Sequence, residues 1–233
     1  MIHIDKPEKG PEILNNQGRK ETERMMESAE NGETDFSFDS HVYSDESVKQ
    51  ELRKNQHEQC AYCECCLVGD YGAVEHYRPK SGYKIGKRLI KPGYFWLAYD
   101  WNNLLCSCDV CNNKKGNEFP LKDETERDLS HYNISKEHPL LVNPVTDDPG
   151  KHIIFREEMA CGLDEMGKTT IRVLDLNRAE LKKIRKNYWD FWMELQEKIS
   201  REELLEISSK YWGCFRGMFL YQDWNLTSTV VGE

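Results

Sequence analysis

Two Cys-x-x-Cys turns bracket a histidine-bearing segment of this 233-residue chain: Cys60-Ala-Tyr-Cys63 and Cys108-Asp-Val-Cys111. Each turn can aim two thiolates at one point, and two turns together complete the closed tetrahedral four-sulfur shell of structural zinc. Forty-four residues separate Cys63 from Cys108, so the ion closes a long loop and couples folding to metal. Four thiolates leave no open position, which argues against a catalytic zinc. Of the nine cysteines, four fall within 60–66 and three within 106–111, while Cys161 and Cys214 stand apart. Cys65, Cys66 and Cys106 lie near the turns, although Cys-x-Cys spacing suits a shared site less well. In a reducing compartment this clustering predicts metal ligands or free thiols in preference to disulfides. Free or redox cysteines are the competing reading.

Between the turns lies Val74-Glu75-His76-Tyr77-Arg78-Pro79, followed by Asp100-Trp101-Asn102-Asn103-Leu104-Leu105. After the second turn comes Asn112-Asn113-Lys114-Lys115-Gly116. Hydrolysis of a phosphodiester needs an activated water and neutralisation of the leaving oxygen. A neutral imidazole suits the first task near pH 7. A divalent ion held by a carboxylate and an amide oxygen suits the second, and oxygen ligands favour Mg²⁺ or Mn²⁺ over zinc. Glu75, His76 and Asn112 could supply those groups. Six cations, Arg78, Lys80, Lys84, Lys87, Arg88 and Lys91, follow His76 with no acidic residue among them. Together with Lys115 they are the expected contacts to a nucleic-acid backbone. Each of these residues taken alone is more simply a surface or structural side chain. Their joint placement inside two cysteine turns reverses that preference.

The bulk composition sets the frame for these residues. Apolar residues are 38% and charged residues 31% of the chain, with a net charge of −9. The acidic balance argues against a protein that coats nucleic acid indiscriminately, but the field at a site is local. No run of 18 apolar residues suggests a membrane span, and the opening MIHIDKPEKGPEIL lacks an apolar signal region. A cytoplasmic protein is expected.

The sequence divides into three regions. Residues 1–43 are polar with little periodicity and read as an extended, irregular N-terminal arm, a docking segment for a partner. Residues 44–135 hold the cysteine module. They open with a helix over 44–58 capped by Ser44 and then a two-stranded ribbon around a turn at Gly69-Asp70 and Gly72. A loop over 79–93 follows, then the aromatic run Tyr94–Trp101 and a short helix over 109–117 stopped by Gly116. Residues 136–233 form an α/β extension. Leu140–Val142 and Ile153–Phe155 read as strands, and Thr169–Leu176 as a third strand or the approach to a helix. Apolar spacing from Leu181 to Leu204 predicts a long helix over about 178–207, and a shorter one follows over 208–220. The helix offers a second docking surface or plain core.

The order of motifs in 60–116 resembles the HNH endonuclease family: Cys-x-x-Cys, an acidic residue before His, Asn-Leu, and Cys-x-x-Cys followed directly by His or Asn with Lys-Gly behind. The resemblance implies an α+β chain built on a zinc-stapled ββα-metal core, with a mixed, mainly helical C-terminal region. It places His76 as general base, Glu75 as the acidic metal ligand, Asn112 as the final cation ligand and Asn103 as the residue that steadies the loop. Glu stands at 75 where Asp is usual, and Asn at 112 where His is common; both bear on metal preference. Asn102 and Asn113 are rivals for their neighbours' roles. More widely, three segments resemble the PtuB-like HNH subunits of Septu antiphage systems and related retron-encoded proteins. They are Met1–Lys6 with Pro11 and Leu14; Leu140–Pro144 with Asp147-Asp148-Pro149 and His152-Ile153; and Leu174–Arg178 with Leu181 and Arg185. That resemblance implies antiphage defence, a complex with an ABC-type ATPase, PtuA, and a nucleic-acid substrate, DNA ahead of RNA. A silent zinc module that binds nucleic acid or a partner, and a stand-alone restriction or homing nuclease, remain alternatives.

Overall fold

A computed structural model describes residues 1–68, 72–130, 132–200, 202–204, 206–207 and 215–224. It is an α+β structure whose described strands form three separate two-stranded antiparallel sheets. One hydrophobic core runs from Met1 and Leu14 through Leu104 and Phe119 to Trp189 and Phe219.

The N-terminal region departs from expectation. A π-helical turn, Leu14–Gly18, leads into helix α1, Arg19–Glu30, and a short α2, Ser40–Tyr43, follows. Met1, Ile4, Leu14 and Met25 are buried, so this is no extended, irregular arm. Its partners explain why local periodicity hid it. They lie in the aromatic run 81 and 91 residues downstream, where Gly18 abuts Tyr99 and Gly10 abuts Trp101 so closely that a Cβ would collide. Lys6 donates to the Leu104 carbonyl at 2.8 Å beneath the same run.

Helix α3, Glu46–Asn55, buries Val48 and Leu52, and its N-cap is Asp45, whose carboxylate accepts from Ser47 N–H, not Ser44. Strand β1, Ala73–His76, pairs with β4, Leu104–Ser107, in the register Glu75↔Leu105 and His76↔Leu104. The expected ribbon within 60–78 is therefore replaced by a long-range pairing; Gly69 and Asp70 lie outside the described residues. Helix α4, Asp109–Lys115, follows β4 and ends at Gly116, whose φ of 45° suits the residue that stops it.

The expected loop over 79–93 contains a hairpin, β2 (Tyr83–Ile85) and β3 (Arg88–Ile90), joined by Gly86-Lys87. Gly86 supplies the positive φ of such a two-residue turn. Further on, Leu140–Val142 is irregular although Leu141 and Val142 are buried. Strand β5, Ile153–Arg156, pairs with β6, Met159–Gly162, which the sequence did not suggest. Helix α5, Glu165–Val173, takes the place of a third strand, with Asp164 capping Gly167 N–H. Helix α6, Ala179–Gln196, ends eleven residues short of the expected 207. Helix α7 is Arg216–Leu220; residues 208–214 of the expected final helix lie outside the described residues. No helix among the described residues is long and apolar enough to cross a membrane.

Candidate metal centre and adjoining cleft

The turn at 60–63 and the start of α4 are brought together by backbone pairing. Ala61 N–H donates to the Cys106 carbonyl at 3.0 Å, and Cys60 N–H donates to the Cys65 carbonyl at 2.9 Å. The buried amide of Gln56 clamps the junction: its Nε2 donates to the Cys106 carbonyl at 2.7 Å, and its Oε1 accepts from Cys106 N–H at 2.8 Å. Gln56 carried no signal in the sequence, since its partners are 50 residues away. Cys60, Cys63, Cys108 and Cys111 are all buried, with their sulfurs within 4.8 Å of one another. Cys63 Sγ and Cys108 Sγ are 3.7 Å apart. A tetrahedron with zinc–sulfur bonds of about 2.3 Å has edges of about 3.8 Å, so the spacing fits that ion.

Two arginines lie close enough to the cysteine group to interact with it electrostatically. Arg178 Nη1 lies 3.9 Å from Cys111 Sγ. Burial works against its charge, but Cys111 and Cys63 outweigh burial and raise its pKa. Arg185 is buried nearby and donates to the Leu176 carbonyl at 2.6 Å. Cys66 is an exception to the expectation of ligands or free thiols, for it is disulfide-bonded.

Beside the cluster opens a cleft of about 520 Å³, lined by the end of β1, the Pro79–Ser81 segment, Asn112 of α4 and Tyr43 of α2. His76 is buried at its wall. One ring nitrogen, Nε2, lies 2.9 Å from the Ala98 carbonyl; a carbonyl only accepts, so this nitrogen carries the proton and Nδ1 has the free lone pair. Lys80 Nζ lies 3.4 Å from Nδ1. Burial first, and Lys80 second, hold the His76 pKa well below its ordinary value, so the imidazole is neutral at pH 7.

Glu75 is 4% exposed. Lys115 Nζ lies 2.5 Å from its Oε1 and donates to the His76 carbonyl at 2.8 Å. Burial nonetheless raises the Glu75 pKa against the pull of Lys115. Glu75 lines the cleft with Lys115 as its ion-pair partner, and the Asn112 amide lines the same cleft. A carboxylate and an amide oxygen form a donor set suited to a hard divalent cation.

Asn103 is buried and holds the chain after His76: its Oδ1 accepts from Arg78 N–H at 2.7 Å, and its Nδ2 donates to the Arg78 and Leu97 carbonyls. Asn102 and Asn113 are exposed instead. The expected phosphate contacts divide. Lys115, 1% exposed, is buried against Glu75. Arg78 pairs with Glu137 at 3.1 Å, is 13% exposed and packs on Tyr77, Tyr94 and Phe119. Neither is placed to meet a backbone phosphate. Lys84 pairs with Glu118 and Lys91 with Asp35. Lys87 and Arg88 are exposed at the hairpin turn, and Lys80 lines the cleft. Tyr43, Lys49 and Asn117 also line it and were not singled out from the sequence; Ser44, expected only as a helix cap, lines it too. Asn117 directly follows Gly116, a position where an extra polar side chain could have been noticed.

The fold and these two sites define a mixed α+β protein with small sheets and a buried four-cysteine group compatible with zinc. No protein-family model matches the chain. It is 38% identical over 193 residues to the Septu protein PtuB of Bacillus mycoides (strain KBAB4), covering 78% of this chain and 64% of that protein. It is 31% identical over 182 residues to the Septu protein PtuB of Bacillus thuringiensis, covering 77% and 56%. The chain is a PtuB-like protein, and it spans less than two thirds of the length of either relative.

Proposed function

We propose that this PtuB-like chain is a metal-dependent HNH-type endonuclease subunit of a Septu antiphage complex. In this reading β1, β4 and α4 form a ββα-metal core, and the four cysteines hold structural Zn²⁺. The observation that carries it is the tautomer of His76: with Nε2 spent on Ala98, the imidazole offers an unprotonated Nδ1 in a cleft shared with Glu75 and Asn112.

Glu75 and Asn112 would hold Mg²⁺ or Mn²⁺. Bound there, the ion offsets charge on the scissile phosphate and the leaving oxygen. His76 Nδ1 takes a proton from the attacking water. The water oxygen forms the new bond to phosphorus as the bond to the leaving oxygen breaks, and the leaving oxygen takes a proton from solvent water, giving a 5′-phosphate and a 3′-hydroxyl. Asn103 fixes the backbone that follows the base, so the imidazole keeps its direction. Lys87 and Arg88, exposed at the hairpin turn, would meet backbone phosphates outside the cleft. DNA is the preferred substrate, and the partner is an ABC-type ATPase of the PtuA kind.

The test is cleavage of labelled DNA and RNA by the chain co-expressed with its ATPase, with Mg²⁺ or Mn²⁺, for wild type and His76→Ala. Metal-dependent cleavage that His76→Ala abolishes is expected. Equal behaviour of the two proteins would overturn the enzyme reading in favour of a zinc module that only binds.

A further inference from the structure

We infer that Lys80 is a substrate-gated cap on the His76 base, closing it in the empty cleft and moving to the phosphate when substrate arrives. The inference rests on the nuclease reading above. With Nε2 donating to Ala98, Nδ1 is the one acceptor the imidazole has, and the Lys80 ammonium stands 3.4 Å from it. A lone pair already accepting from Lys80 is not available to a water proton.

The ammonium is parked on two aromatic faces brought from the N-terminal region. It lies 4.7 Å from the centre of the Tyr43 ring and 5.5 Å from that of Phe38. Tyr43 in turn meets the His76 ring edge-on at 4.9 Å. Lys80 makes no direct ion pair among the described residues; besides the imidazole and two rings, only the longer-range attraction of the Glu75 carboxylate holds it. Its backbone is fixed: Tyr94 N–H donates to the Pro79 carbonyl at 3.0 Å. A Cβ on Gly93 would lie 2.8 Å from the Lys80 carbonyl, so the chain there is close-packed. Only the side chain is free to swing.

The direction of the swing follows from charge. An ammonium bonded to a neutral imidazole has charge on one partner alone, whereas an ammonium bonded to phosphate has it on both, and such bonds are roughly twice as strong. A phosphate entering the cleft therefore draws Lys80 off Nδ1. One movement both uncovers the base and places a cation on the group to be attacked.

The experiment uses the full chain, as wild type, Lys80→Met and Lys80→Arg. In the first part the ¹⁵N resonance of His76 Nδ1 is recorded without ligand, with inorganic phosphate and with a short DNA duplex. The wild-type signal is expected to differ from Lys80→Met when free and to move toward it on adding either ligand, while Lys80→Met stays put. In the second part, single-turnover cleavage at saturating duplex is expected to fall about 10²-fold in Lys80→Met, with only a few-fold change in Kd and partial rescue by Lys80→Arg. Identical Nδ1 signals in the free proteins, or an unchanged rate at saturation, would overturn the cap. If wild type cleaves nothing while Nδ1 responds as described, the nuclease reading fails and with it the role of His76 as a base, while the ligand-driven movement of Lys80 off Nδ1 stands.

Discussion

Cys111 and Asn112 are neighbours on α4, yet they serve sites built on opposite terms. The cysteine group is buried and made of one residue type. The cleft is open, chemically mixed and richer in cations, with Lys49 and Lys80 on its walls and Lys115 behind Glu75. A closed ion site is specified once four ligands reach one point. The cleft is specified by what restrains each side chain: Ala98 decides which nitrogen of His76 is free, and Asn103 fixes the chain that leaves it. The same strand pair and helix carry both. The first site should therefore govern whether the core exists, and the second only what it does.

The comparison breaks first at the cysteines. Cys63→Ser, or removal of zinc by a chelator, should unfold the module, since structural zinc contributes on the order of 10 kcal/mol. Circular dichroism melts paired with metal content would show it, and a variant that melts normally without zinc would sink the assignment. His76→Ala is the counterpart in the cleft. Cleavage should drop by about 10²–10⁴-fold while zinc content is unchanged. Lys115→Met lies between the two. It strands the buried Glu75 charge and should cost about 3 kcal/mol in denaturant unfolding. A stability loss under 1 kcal/mol would mean that Glu75 does not depend on Lys115.

The two sites were also unequally legible in the sequence. Four cysteines at fixed spacing announce their geometry because each turn is local. Glu75, His76 and Asn112 were legible as residue types, and the structure brings all three to one cleft. What surrounds them was not legible. Lys115 and Arg78 were taken for surface cations, yet Lys115 is buried against Glu75 and Arg78 is half-buried against Glu137, each carboxylate lying far away in sequence. The N-terminal helices escaped notice because their apolar face is thin and its partner is the aromatic run. The β1–β4 pairing was missed because a strand of four residues carries no mark of a partner some 30 residues on.

Two smaller effects sharpen the contrast at the cleft. The Lys87→Ala/Arg88→Ala double variant should leave zinc content and melting untouched but weaken nucleic-acid binding, lowering the slope of log K against log salt by about 2. A slope equal to wild type would remove the hairpin from the binding surface. The smallest effect is pH dependence. The folded His76 pKa is held well below its ordinary 6.5 by burial. Between the folded value and 6.5 the unfolded chain binds the extra proton, so stability rises with pH across that window and falls as the solution is acidified through it. His76→Ala should flatten this acid-side loss. The same depression means that the cleavage rate should show no limb at the ordinary histidine value. An apparent pKa near 6.5 in the rate profile would mean that the base is solvated, and that the wall formed by Ala98 and Tyr43 does not enclose it during turnover.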